Sequence, residues 1–309
     1  METSIITRVI TPLAIFFIMF GMGLSLTVAD FKRVLTSPKA MSIGVFLQII
    51  GLPVLGFAFA SVLNLPPVLA AGVMLLSACP GGAITNLVSF VSKGDAALSV
   101  SLTAVNSFIT VITIPIVVTF SLGYFMGAEA AAQVNVWNLS LGIVVITIPP
   151  IIAGMWTKRK APGFAARSEK WVRGGTILFL ALLAGIASFR ERQVIADNYA
   201  EFAAIAVALC LLSAFMGMVV STAARLPRKH VLTLSIEVGL HNSAMGIVIA
   251  LTFLEMNELA IFSAFYLLVE YIFSGALMAV MNSPIGAKFL RTESKGDKTA
   301  GIIVNEHSV

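Results

Sequence analysis

Glu237 stands inside an otherwise apolar stretch, in the run SIEVGLHNSAMG from Ser235 to Gly246. An ionised carboxylate at the depth of a lipid core costs several kcal/mol unless something neutralises it, and such residues mark ion or proton paths. Apart from residues near the ends, no Lys or Arg lies within any of the long apolar segments. The partner is therefore a bound cation, a proton or cavity water. Glu270, in FYLLVEYIFSG, poses the same problem a second time. It can line a substrate cavity, relay a proton or hydrogen-bond Tyr271. Glu255 and Glu258 fall in a connection and read as solvated.

Uncharged oxygens accompany these acids. Ser99, Thr103 and Asn106 recur at i, i+4 and i+7, the spacing of one helical face. Thr85 and Asn86 follow a helix break, and Gln48 sits at mid-depth in another apolar segment. Hard cations prefer oxygen ligands, and hydroxyl and amide oxygens on one face can complete such a shell. The same small polar residues are also ordinary interhelical contacts in membranes. The nearby break tips the balance toward a site.

That break is ACPGGAITN, residues 78–86, in which Pro80 removes a backbone donor and Gly81 and Gly82 are poor helix formers. A broken helix exposes free carbonyls at one end, which attract cations, and free N–H groups at the other, which attract anions. Around the second interruption, carbonyls near Val238 and Leu240 can hold a cation. The N–H groups near Thr85–Asn86 and Asn242–Ser243 can meet an anionic group. Pro115, Pro149 and Pro150 read as kinks. Cys79 and Cys210 lie in apolar runs and read as small buried hydrophobes, without a disulfide framework or a metal-binding spacing.

The elements that must position these residues are membrane spans. Of 309 residues, 58% are hydrophobic and 11% charged, less than half the charge of a soluble domain. This predicts an all-α polytopic membrane protein, and the net charge of +5 is assigned to basic loops rather than to nucleic-acid binding. Windows of roughly 20 apolar residues place nine transmembrane helices, at about 8–29, 40–63, 68–92, 96–124, 136–157, 173–189, 198–224, 231–253 and 259–285. The first reads as a retained helix and not a cleaved leader. Residues 291–309 read as a disordered tail. All of the 20 Lys and Arg except Arg8, Arg190 and Arg192 fall on one set of alternate connections and the tail. The positive-inside rule then places the N-terminus outside and the C-terminus in the cytoplasm. The two interrupted spans, third and eighth, run in opposite directions, which predicts an inverted repeat of four plus five helices with a substrate site at the breaks.

Beyond these patterns, MFGMGLSL (19–26), LQIIGLP (47–53), ACPGGAITN, SKGDAALSVSLTAVNS (92–107) and SIEVGLHNS (235–243) resemble the bile acid:sodium symporter family. The resemblance runs in order from about Met19 to Ser283. It implies two broken helices crossing at the membrane centre, in a core domain (about 40–124 and 198–285) that moves against a panel (about 8–29 and 136–189). It also implies one sodium site from Thr85, Asn86, Ser99, Thr103 and Glu237. A second would use Gln48, Glu237, the carbonyls of Val238 and Leu240, and the side chain at 241. The family usually has Gln there, whereas this chain has His241. A neutral imidazole lacks an oxygen, so either the second site is weakened or His241 makes binding pH-sensitive. Some bacterial members have Trp-His-Asn near the substrate, where this chain has Glu270, Tyr271 and Ile272.

These readings predict a secondary active transporter of the bacterial plasma membrane, a symporter and not an enzyme. One or two Na⁺ would be its coupling ions, and no organic cofactor is expected. Its partners would be lipid and a small organic anion: a bile acid, pantoate or pantothenate, or a 2-keto acid. Thr85, Asn86, Asn242, Ser243 and Glu270 would contact that anion. A proton-coupled carrier or exporter of the same fold is the alternative, and a membrane sensor a more distant one.

Overall fold

The structure is a computed structural model that describes residues 11–32, 37–165, 167–168, 175, 192–284 and 286. Every regular element among them is helical. Six helical stretches are long and apolar enough to cross a membrane: Pro38–Val62, Ala96–Met126, Val136–Lys160, Tyr199–Ala223, Arg228–Phe253 and Asn257–Met281. Two shorter apolar helices, Phe16–Ser25 and Pro67–Ala78, accompany them. Each coincides with an expected span. The span expected at 173–189 lies outside the described residues, as do the start of the first span and the tail.

In chain order the helices are α1 (Thr11–Ser25), α2 (Val28–Lys32), α3 (Pro38–Phe46), α4 (Leu52–Val62), α5 (Pro67–Ala78), α6 (Ala83–Val91) and α7 (Ala96–Ser121). Then follow α8 (Ala128–Ala132), α9 (Val136–Lys160), α10 (Arg192–Ala223), α11 (Arg228–Gly239), α12 (Ser243–Val248) and α13 (Asn257–Met281). A π-helical turn, Leu47–Gly51, joins α3 to α4 and carries Gln48; such turns widen a helix locally and are frequent at functional sites. Pro115 lies within α7, and Pro149 and Pro150 within α9, without ending either helix.

The apolar surface is distributed as a bilayer requires. Ile112, Ile116 and Phe120, one turn apart on α7, are more than half exposed, whereas Ser99, Thr103 and Asn106 on the same helix are fully buried. Helix α9 exposes Trp137 near its start and Trp156 near its end, the positions of interfacial aromatic anchors. Helix α1 packs along α9 through small residues. A Cβ at Gly23 would come within 2.3 Å of the Ile151 carbonyl, and one at Gly154 equally close to the Phe20 carbonyl. Glycine here permits the close backbone approach that drives helix association in lipid.

One polar tie joins the connection before α7 to the start of α11. Asp95 caps α7, accepting from the N–H groups of Ala97 and Leu98, and its carboxylate meets His230 Nε2 at 3.2 Å. Its own N–H donates to Thr233 Oγ1 at 2.8 Å. The His230 hydrogen bond, with the two capping bonds, pushes the Asp95 carboxyl from 3.8 down to about 2. A carboxyl depressed on folding stabilises fully above its unfolded pKa and loses that contribution as pH falls through its folded one. Thermal unfolding in detergent should therefore lose stability between pH 3.8 and about 2, with a loss of less than about 1 kcal/mol for this half-exposed pair. His230→Ala should shrink the loss; an unaltered acid limb would exclude the pair as its source.

Candidate functional site

The two interruptions meet. Helix α5 ends at Ala78, and Cys79 turns extended (φ −74°, ψ 140°) before α6 begins after Gly82. Helix α11 ends at Gly239, Leu240 is extended (φ −113°, ψ 118°), and α12 starts at Ser243. Breaking helices in hydrocarbon strands backbone groups at several kcal/mol each. Here they satisfy one another: the Asn242 N–H donates to the Pro80 carbonyl at 2.7 Å, and the Gly81 N–H donates to Gln48 Oε1 at 3.2 Å. Asn106 Nδ2 donates to the same Gln48 oxygen at 2.9 Å. A Cβ at Gly81 would lie 2.6 Å from Glu237 Oε2, so glycine lets the backbone approach the carboxylate without displacing its tip.

Glu237, 1% exposed, is the centre of the resulting cluster. Ser99 Oγ lies 2.5 Å from its Oε1, Thr103 Oγ1 3.2 Å from its Oε2, and Gln48 Nε2 3.4 Å from Oε2. Asn86 Oδ1 lies 2.8 Å from Ser99 Oγ and 3.3 Å from Thr103 Oγ1. Thr85 is fully buried beside Gly81, its hydroxyl donating to the Gly82 carbonyl at 2.8 Å. The structure thus gathers Gln48, Thr85, Asn86, Ser99, Thr103 and Glu237 from four separate segments.

Ser99 and Thr103 have one hydroxyl proton each. Ser99 faces two acceptors, Asn86 Oδ1 and Glu237 Oε1. Thr103 faces Asn86 Oδ1, the Ser99 carbonyl and both Glu237 oxygens. Gln48 Nε2 adds a proton to Glu237 Oε2, Asn86 Nδ2 has no partner among the described residues, and the side-chain oxygens of Asn86, Ser99 and Thr103 converge beside one buried carboxylate. Such a set of oxygens fits a hard cation.

Of the second expected set, Gln48 and Glu237 belong to the cluster just described. Val238 packs with Leu47 and Leu52, and the Leu240 side chain with Val73 and Leu76. His241 turns toward α13, its Nδ1 2.7 Å from Tyr266 Oη. Tyr266 donates its single hydroxyl proton to the Gly239 carbonyl at 2.6 Å. The phenol oxygen can therefore only accept from His241, whose proton sits on Nδ1. Nε2 is left as a bare acceptor, with no partner among the described residues. No hydrogen bond among those residues joins His241 to Gln48 or Glu237.

The anion-facing N–H groups also differ from expectation. Thr85 N–H donates to the Gly82 carbonyl, Asn242 N–H to Pro80, and Ser243 N–H to the His241 carbonyl. The Asn242 side chain caps α12 through Met245 N–H. The crossing consumes the Asn242 donor, and local turns consume those of Thr85 and Ser243. Ser243 Oγ donates to Glu270 Oε2 at 2.7 Å, so Glu270 is bonded to α12 and not to Tyr271. Cys79 and Cys210 are buried and unbridged, as expected. A separate cavity of about 300 Å³ is lined by Leu69, Glu201, Phe202 and Glu258 among others, none of them in the polar cluster.

Sequence reasoning missed Tyr266. In LAIFSAFYLLVEYIF it reads as one more apolar residue, and its only cue is its position one turn before Glu270. The Asp95–His230 tie was equally unmarked, since it joins residues 135 apart in the chain.

The profile of the sodium bile acid symporter family matches residues 12–198. A chloroplastic protein of Oryza sativa subsp. japonica, named a sodium/metabolite cotransporter, BASS1, is 30% identical over 78% of this chain and 59% of its own length. Its Arabidopsis thaliana counterpart is 32% identical over 75% of this chain and 56% of its own length. The chain thus spans little more than half the length of these plant relatives. YocS of Bacillus subtilis, named a sodium-dependent transporter, is 27% identical over 97% of this chain and 90% of its own length. These relatives are transporters and not enzymes, and this chain belongs to the sodium bile acid symporter family.

Proposed function

We propose that this protein is a sodium-coupled symporter that imports a small organic anion by alternating access. The observation that carries the reading is the convergence of the Asn86, Ser99 and Thr103 side-chain oxygens beside the buried Glu237 carboxylate. Sodium would be held there by these oxygens with Thr85, and its charge would neutralise a carboxylate that is costly to bury alone. The proposed architecture is nine spans in an inverted repeat of four plus five, with the breaks at Pro80–Gly82 and Leu240–Asn242 crossing in the core. A panel including α1 and α9 would be the body against which that core moves. The C-terminus would face the cytoplasm of a bacterial plasma membrane.

His241 bears on the number of ions. Its Nδ1 is occupied by Tyr266 and its other nitrogen offers no oxygen, so the reading is one Na⁺ per cycle at the Glu237 cluster. The substrate class is a small carboxylate; pantoate, a 2-keto acid and a bile acid are the candidates. It would bind near Asn242, Ser243 and Glu270, where the second break adjoins α13.

The test is accumulation by proteoliposomes of labelled pyruvate, pantoate and taurocholate, under an inward Na⁺ gradient or with choline in its place. Concentrative uptake of one anion with Na⁺ and none with choline is expected. Equal uptake in choline would overturn sodium coupling.

A further inference from the structure

Glu270 is a second buried acid, 3% exposed, and none of the Glu237 ligands touches it through a hydrogen bond among the described residues. The group that bonds it is the neutral Ser243 hydroxyl, at 2.7 Å. Its surroundings hold little charge. Helices α5, α6 and α12, which pack against α13, contain no acidic or basic side chain. Helix α10 brings Cys210 to this region, and Tyr199 and Glu201 lie nearer its start. Helix α13 itself adds Tyr266 and Tyr271 beside Glu270, and Glu258 in its first turn. His241 is held one turn away by Tyr266. No ion pair to Glu270 occurs among the described residues.

A carboxylate buried with one neutral donor does not stay ionised without a counter-charge. A metal ion would need several oxygens, which the Glu237 cluster supplies and the Glu270 side does not. A proton needs only one carboxyl oxygen and one acceptor. The Ser243 hydroxyl serves both states: it donates to the carboxylate, and with its direction reversed it accepts from the carboxylic acid. The contact at 2.7 Å therefore persists while the charge changes. In the neutral state Glu270 no longer repels an anion at Ser243. Ser243 opens α12, directly after the residue whose N–H holds Pro80.

We propose that the Glu270–Ser243 pair is a site for an exchangeable proton, a second cation of the transport path beside Na⁺ at Glu237. The transport path rests on the symporter reading; the proton site stands on its own geometry.

Infrared spectroscopy of the purified full chain, titrated across about pH 5 to 9, tests it. The wild type should show a protonated-carboxyl carbonyl band that disappears as pH rises, and Glu270→Gln should lack that band. Glu237→Gln, which removes the sodium carboxylate, should keep it. Ser243→Ala should retain the band but shift its frequency, because the acid loses its partner; this arm decides the matter if Glu270→Gln does not fold. A band that persists in Glu270→Gln, or one present at every pH without titrating, overturns the proposal. A titrating Glu270 band together with sodium-independent uptake would overturn the symporter reading alone.

Discussion

Glu237→Gln will weaken sodium binding by roughly a thousandfold, because it removes about 4 kcal/mol of attraction between unit charges 4 Å apart at an effective dielectric near 20. The substitution keeps an oxygen in place and removes only the charge, so it separates electrostatics from shape. The amide keeps one oxygen, which can accept either from Ser99 or from Thr103 and Gln48. Folding in the absence of Na⁺ should survive or improve, since a neutral group replaces a buried charge. What should vanish is the linked stabilisation: wild-type melting temperature should climb with Na⁺ concentration, as ligand linkage requires, while the variant's stays flat. Uptake driven by Na⁺ should fall with it. An unchanged Na⁺ titration in Glu237→Gln would remove the cluster as the sodium site.

The second large effect is a gain. His241→Gln should change the Na⁺ dependence of uptake from hyperbolic to sigmoidal, with a Hill coefficient rising from near one toward about two. In the wild type, Tyr266 fixes the imidazole so that its free nitrogen is an acceptor without an oxygen. Glutamine at 241 restores the amide that the family usually has there, close to the Val238 and Leu240 carbonyls. Each additional Na⁺ crossing with the anion adds about 2.3 kcal/mol of driving force per 100 mV, so accumulation ratios should become steeper in potential. The measurement is initial uptake rate against Na⁺ concentration at fixed potential. A sigmoidal response in the wild type would already refute the one-ion reading, whatever the variant does.

Much of the cluster was legible in the sequence because its signals are expensive ones. A carboxylate at mid-span and a Pro-Gly-Gly in an apolar run each cost several kcal/mol, so Glu237 and Pro80–Gly82 stand out against any background of Leu and Val. The facing triplet Ser99, Thr103 and Asn106 was legible because helical spacing is strict. The structure divides that triplet: Ser99 and Thr103 reach Glu237, whereas Asn106 reaches it only through Gln48. What stayed hidden depends on distance in space. The pairing of Asn242 N–H with Pro80 uses backbone atoms, which leave no residue-type signature. Tyr266 is apolar in composition and polar in one atom, so only its neighbours reveal that it sets the His241 tautomer. The N–H groups of Thr85, Asn242 and Ser243, expected to await an anion, could not be recognised as occupied, since they are filled from another part of the fold or by a local turn.

The bond between Asn242 and Pro80 has a consequence for biogenesis. A chain emerging from the ribosome makes the first break long before it makes the second, because 161 residues separate Pro80 from Asn242. Until α11 and α12 have entered the bilayer, the Pro80 carbonyl lacks its donor, and the nascent first half carries an open defect in lipid. The early helices must therefore wait at the insertion machinery, or hold a temporary partner, until the later ones arrive. Neither half would be a viable insertion product alone, and assembly becomes a single late event that seals both halves together.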